Sequence, residues 1–153
     1  MLTEICAYLK NWFDIDEYHK KLPRFEGTIT ISDGKPQDID ELLIEGQYFY
    51  IYGSFFNDGV HEYTNKLSLK DETFEGIVQS MRIEPDFIEL VSEIEAWEAK
   101  YGGADSVAMS PYNSESFGGY SYSKSNGNSS EGAINAADPK SVFKSRLNRW
   151  RKL

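Results

Sequence analysis

The sequence predicts an α+β fold: a short N-terminal helix, a small antiparallel β-sheet or barrel, a core helix, an extended Gly/Ser/Tyr arm and a C-terminal amphipathic helix. Three observations carry this reading. Between Phe25 and Ile83, short runs rich in β-branched and aromatic residues are separated by turn signals. From Pro85 to Tyr101, apolar residues recur at three- and four-residue steps. Beyond Gly102 the composition shifts to Gly, Ser and Asn, until a second helical pattern starts at Asp138.

Taken in order, Thr3 is placed to cap a first helix with apolar positions Ile5, Leu9 and Trp12/Phe13, and Pro23 ends any helical continuation. From Phe25 to Ile31 the residues Phe25, Gly27, Ile29 and Ile31 share one face of a strand, with Glu26, Thr28 and Thr30 on the other. Asp33-Gly34 marks a hairpin turn, Tyr48 to Tyr52 an aromatic strand, Asn57-Asp58-Gly59 a second turn and Val60 to Tyr63 a return strand. Gly76 to Ile83 reads as one strand more. Pro85 opens the core helix, Asp86 and Glu89 suit its positive end, and Phe87, Leu90, Ile94, Trp97 and Tyr101 form its apolar stripe. Glu89, Glu93, Glu95 and Glu98 line its solvated side, and Gly102-Gly103 stops it.

These elements divide the chain into a compact body over residues 1–101, a flexible or extended arm over 102–137 and a basic helix over 138–153. In the arm, Phe117, Tyr120 and Tyr122 stand as contact residues on a stretch that alternates aromatic and serine, as in a strand that can pair with a neighbouring sheet edge. The last helix begins with Asp138 as N-cap and Pro139 at its first position. Phe143, Leu147 and Trp150 form its apolar side, and Lys140, Lys144, Arg146, Arg149 and Arg151 its cationic side. A lone helix this short is marginal in water, so it must pack on its own body, a neighbouring copy or another protein. Phe143, Arg146, Leu147, Arg149, Trp150 and Arg151 are therefore the expected partner-binding residues.

The charge is divided along the chain. Residues 133–153 hold six bases against one acid, which leaves −14 on residues 1–132 of a chain with net charge −9. So acidic a body repels phosphate and argues against ordinary nucleic-acid binding there. It also opposes docking of the basic tail on an anionic membrane. No apolar run approaches the roughly 18 residues of a membrane helix, and Met1 to Phe13 lacks the features of a signal peptide. A single cysteine, Cys6, fits a reducing compartment and reads as a small buried apolar residue.

Catalytic motifs are missing from the sequence: there is no phosphate-binding loop, dinucleotide fingerprint or nucleophile elbow. His61-Glu62 lacks the second histidine of a zinc-protease helix, and the acidic clusters Asp14/Asp16/Glu17 and Asp38/Asp40/Glu41 lack the glycine spacing of a calcium loop. No catalytic, metal or cofactor-binding residue is assigned, and no cofactor is expected. Tyr48, Phe49, Tyr50, Tyr52, Phe55 and Phe56 have the character of a base-stacking platform, but within an acidic body they fit core and interface packing better.

Several phrases run in order through the chain: Gly46-Gln-Tyr-Phe49, Gly53-Ser54 with Asn57-Asp-Gly-Val60, Lys70-Asp-Glu-Thr-Phe74, Ile94-Glu-Ala-Trp97, Glu115-Ser-Phe-Gly-Gly-Tyr-Ser-Tyr-Ser123 and Arg146-Leu-Asn-Arg-Trp-Arg-Lys152. Together they resemble a family of tailed-phage and prophage head–tail connector (adaptor) proteins. The resemblance implies a structural virion protein, not an enzyme, assembled in the host cytoplasm and located in the neck at the capsid portal vertex. It implies a ring of identical subunits, typically twelve, that docks on the portal protein through the C-terminal segment. Such a ring extends the DNA channel toward stopper or tail proteins, and DNA passes through without specific binding. Known adaptors are largely helical, and the β-rich middle of this chain departs from them. Two alternatives stay open: a neck stopper or tail-completion protein, and, from another class, an acidic monomeric regulator of a basic partner.

Overall fold

Strand β1 (Arg24–Ser32) alternates as its sequence predicts, with Ile29 and Ile31 buried and Glu26, Thr28 and Thr30 exposed. The computed structural model describes residues 1–37, 39–101, 114–117, 120–123 and 138–152. Backbone contacts divide the chain into two units, Lys10–Glu84 forming one and Thr3–Leu9 with Pro85–Leu153 the other.

The first unit is built on a five-stranded antiparallel sheet. Strand β2 (Lys35–Pro36) follows β1 through Asp33 and Gly34, both at positive φ, which is the type I′ geometry that suits the twist of a two-residue hairpin. Strands β3 (Tyr48–Tyr52), β4 (Gly59–Glu62) and β5 (Glu72–Met81) complete it in the order β2-β1-β5-β3-β4. With β2 and β4 at its two ends, the sheet is a curled half-barrel and not a closed barrel. Strand β5 starts at Glu72, four residues ahead of the Gly76 start that the sequence suggests. One face buries Ile29, Ile31, Phe49, Ile51 and Val78 with Ile39, Leu43 and Leu69 from the connections.

Glycines set the curl of this sheet. Gly27 of β1 faces Gly76 of β5, and the chain leaves β3 at Gly53 (φ +95°) directly beside β5. A Cβ on Gly76 would stand 2.3 Å from the Tyr52 carbonyl oxygen and 2.7 Å from the Phe74 ring. A Cβ on Gly53 would stand 2.7 Å from the Glu75 carbonyl oxygen. The two backbones approach as closely as they do because neither carries a side chain there.

In the second unit, α1 (Leu2–Leu9) buries Ile5, Cys6 and Leu9. Thr3 lies in its first turn and not ahead of it, and Trp12 and Phe13 lie beyond its end. Burial pushes the Cys6 thiol up to about 12, outweighing the opposing effect of its own backbone hydrogen bond. The Cys6 side chain is therefore an apolar filler, as read. Helix α2 (Pro85–Tyr101) buries Phe87, Leu90, Val91, Ile94, Trp97 and Tyr101, the whole predicted stripe plus Val91.

In the arm, β6 (Ser114–Phe117) pairs antiparallel with β7 (Tyr120–Ser123), opposing Phe117 to Tyr120 and Glu115 to Tyr122. The side chains of the expected contact residues Phe117, Tyr120 and Tyr122 lie outside the described structure, as do the rest of residues 102–137, Asp38 and Leu153. Among the described residues, no helix is long and apolar enough to cross a membrane.

Gly76→Ala is expected to cost about 1–3 kcal/mol, because β3 must move away from β5. Gly46→Ala, at φ +81° with nothing within 4 Å of the added Cβ, meets only the backbone strain of about 1–2 kcal/mol. Urea midpoints of the two variants check that order.

Candidate functional site

The C-terminal segment carries the partner-binding residues that the sequence proposes. It consists of α3 (Pro139–Val142), α4 (Lys144–Leu147) and a 3-10 turn over Asn148–Trp150. Asp138 caps it, accepting a hydrogen bond from the Lys140 amide at 3.1 Å, with Pro139 next in the chain. The single helix expected from the periodicity is interrupted at Phe143, whose backbone (φ −94°, ψ 10°) leaves the helical region. Val142 and Phe143 are both buried, and adjacent positions on a regular helix point about 100° apart. Regular helices of this chain also bury adjacent pairs, Ile5/Cys6 in α1 and Leu90/Val91 in α2, so this burial does not by itself break the segment.

This segment packs within its own unit. The Phe143 ring lies edge-on to Trp97 at 6.2 Å, the Trp150 ring lies 5.3 Å from Phe87, and Leu147 is fully buried. Arg146 donates from Nη1 to Glu93 Oε2 at 2.5 Å and from Nη2 to Glu93 Oε1 at 3.1 Å, a bidentate pair. That hydrogen bonding, which outweighs burial, holds the Glu93 carboxyl below its ordinary value and raises the guanidinium of Arg146. Both side chains are about 39% exposed, so solvent screening limits the pair to about 0.5–1 kcal/mol. Arg149 stands 3.7 Å from Asp86 and over the Trp150 ring, and Arg151 lies over the Tyr8 ring. Of the six proposed partner residues, Phe143 and Leu147 are core, Trp150 is half-buried, and Arg146 belongs to an internal ion pair. Arg149 and Arg151 remain exposed, with Lys144 and Lys152 on the same segment.

A second surface holds Phe55 and Phe56, which the sequence groups with Tyr48, Phe49, Tyr50 and Tyr52 as core or interface aromatics without separating the buried from the exposed. Between β3 and β4 the loop of residues 53–58 holds Phe55 at 86% and Phe56 at 53% exposure, their rings edge-on at 4.9 Å. A mobile loop would fold such side chains away or average them; this one is tied down from beneath. The Glu72 carboxylate accepts hydrogen bonds from Ser54 Oγ, from the Phe55 amide at 3.2 Å, from the Phe56 amide at 3.4 Å and from Asn57 Nδ2 at 2.5 Å. Asn57, only 5% exposed, also donates to the Lys70 carbonyl and accepts from the Lys70 amide, both at 2.9 Å. Ser54 Oγ accepts from the Asn57 amide at 2.6 Å, and Asp58 accepts from the Ser54 amide at 2.7 Å. The Lys70 ammonium lies 5.0 Å over the Phe56 ring.

Beside the aromatic pair, Tyr52, Gly53, Gly27, Gly76, Ile77, Glu26 and Glu75 line a notch of about 280 Å³, the space left where the glycines carry no side chains. Two adjacent phenylalanines inside a Gly/Ser/Asn/Asp cluster were the sequence signal for this surface, since turn chemistry there calls for solvent-loving residues. Among the described residues, no group of three or more His, Cys, Asp or Glu is placed to hold a metal ion.

No protein-family model matches the chain, and neither a curated protein nor a solved structure matches it.

Two outcomes are expected. Desolvation raises the Glu72 pKa, but the hydrogen bonds from Ser54, Asn57 and the two amides together lower it further, to below its ordinary 4.5. A depressed folded-state value stabilises the loop above the unfolded value, and this contribution is lost as pH falls through the folded one. Hydrogen exchange at the Phe55, Phe56 and Asn57 amides should therefore accelerate relative to the sheet below the ordinary glutamate range, and Glu72→Gln should accelerate it at neutral pH. Separately, Phe143→Ala should destabilise the second unit by about 3–5 kcal/mol, read as a lowered thermal midpoint.

Proposed function

We propose that this chain is a structural, non-enzymatic assembly subunit of a tailed-phage neck, acting as a head–tail connector in the adaptor tier. The observation that carries the reading is the ordered set of phrases that runs from Gly46 to Lys152. The surfaces support it. The loop of residues 53–58 presents two aromatic rings on a stiffened support, which is how interface anchors are built. The C-terminal segment leaves Lys144, Arg149, Arg151 and Lys152 exposed toward a partner chain, the portal protein or a neighbouring subunit.

In this reading identical copies close a ring through head-to-tail contacts and continue the channel from the portal toward stopper or tail proteins. The acidic surface, −14 over residues 1–132, lets DNA slide past without adhering. The adaptor and stopper tiers differ in whether the ring touches the portal directly, which imaging of the assembly reads. The alternative of an acidic monomeric regulator draws on the exposed Glu89, Glu95 and Glu98 of α2 and requires that no assembly form at any concentration.

Mixing the chain with candidate portal rings tests the proposal. Co-migration and a ring of added density below the portal are expected. Truncation at residue 138 is unsuitable, because it removes the buried Val142, Phe143 and Leu147 and with them part of the core. Arg149→Glu with Arg151→Glu leaves those side chains in place and should reduce co-migration at least tenfold with an unchanged melting midpoint. Absence of both portal binding and ring formation for the unaltered chain would sink the connector reading.

A further inference from the structure

The geometry points to a self-association surface: Phe55 and Phe56, with the adjoining notch between Glu26, Glu75 and Tyr52, take the cationic C-terminal segment of a second copy of this chain. This deepens the ring reading above and rests on it for closure of the assembly.

The aromatic pair is the apolar part of the surface. Moving a side chain of this type from water into a contact is favourable in proportion to the apolar area covered. Leaving two of them exposed on a loop restrained by Glu72, Ser54 and Asn57 retains that driving force for association. The restraint also removes most of the ordering cost that a flexible loop would meet on binding.

Charge selects the occupant. Around the pair and the notch, the carboxylates of Glu26, Asp58, Glu72 and Glu75 outnumber the cations of Arg24 and Lys70. The notch is lined by the carboxylates of Glu26, which holds the exposed Arg24 guanidinium at 2.5 Å, and of Glu75, which accepts from Thr28 Oγ1, together with the ring of Tyr52. An incoming guanidinium would exchange with Arg24 at Glu26 and add charge-assisted hydrogen bonds and ring stacking. The chain itself carries the complement. In the C-terminal segment Arg149 and Arg151 are exposed beside the half-buried Trp150. Arg149 meets the exposed Asp86 and the Trp150 ring, Arg151 the Tyr8 ring, and the surface ion pair at 3.7 Å is weak and open to exchange. Two different, complementary patches on one chain give a heterologous contact, which propagates head to tail and closes when the rotation allows.

Sedimentation velocity of the full chain over a range of concentrations, at low and at 0.5 M salt (roughly a threefold change in screening length), reads this contact. Concentration-dependent association that weakens in high salt is expected. Phe55→Ala with Phe56→Ala should weaken it at least tenfold, as should Glu26→Lys with Glu75→Lys and, separately, Arg149→Glu with Arg151→Glu, each with an unchanged melting midpoint. An equimolar mixture of the two charge-reversed variants should regain association, because the reversed notch of one meets the reversed segment of the other. Assembly of the phenylalanine double variant as strong as that of the unaltered chain, or a mixture that regains nothing, would overturn the inference. Portal binding that persists alongside such a result leaves the connector reading standing. An unaltered chain that neither self-associates nor binds a portal overturns both.

Discussion

The close approach of two backbones at Gly53 and Gly76 is the constraint on which the β-rich unit depends. Side chains at either position would collide with the Tyr52 or Glu75 carbonyl oxygen, so β3 can run against the middle of β5 only as glycine. That contact brings the chain out of β3 at the middle of β5, where Tyr52 pairs with Ile77, and the loop that follows reaches on to Glu72, the first residue of β5. Curl of the sheet, the notch on its surface and the placement of the loop under which Glu72 reaches are thus three results of one packing condition. The paired Gly27 on β1 extends it across a third strand.

The second unit answers the charge division of the sequence in a way that composition alone does not reveal. Six bases at the C-terminal end suggest a tail in search of an external acid, yet Arg146 and Arg149 meet Glu93 and Asp86 on α2 of the same unit. The apolar side behaves likewise, with Phe143 on Trp97 and Trp150 on Phe87. What remains for a partner is the outermost part, chiefly Arg149 and Arg151. Electrostatics therefore has two roles here. Near α2 it adds modestly to a contact whose stability comes from buried rings. At the exposed end, where each pair is screened and weak, it is available to steer encounters with another chain.

The features legible in the sequence are those set by local rules. The alternation of β1, the Asp33-Gly34 turn, the stripe of α2 and the Asp138–Pro139 cap each depend on a few neighbouring residues, and each stands as read. The break at Phe143 was not legible, because the Asp138–Pro139 start and the i, i+4, i+7 spacing of Phe143, Leu147 and Trp150 fit one continuous helix. Much the same holds for the loop. Asn57 reads as a turn residue, which it is, but the acceptor that it and Ser54 share lies at Glu72 on another strand, and nothing near position 72 announces it. Sequence periodicity locates faces; it does not pair a side chain with a partner fifteen or more residues away.

The loop also shows why an exposed aromatic pair differs from an exposed aromatic residue. Scattered apolar side chains at a surface need no explanation. A turn between β3 and β4 needs only glycine and a hydrogen-bonding side chain, and Asp58-Gly59 supplies both. This loop has more than that: a buried asparagine with its amide group bonded on both sides, a serine that donates and accepts, and one carboxylate that gathers four donors. A network of this kind is stable only when every member is satisfied, so each residue in it is constrained by the others. Turn formation alone does not require that degree of definition. Fixed orientation of Phe55 and Phe56 does, since an anchor held in its bound geometry loses little freedom on contact and an unrestrained one loses much.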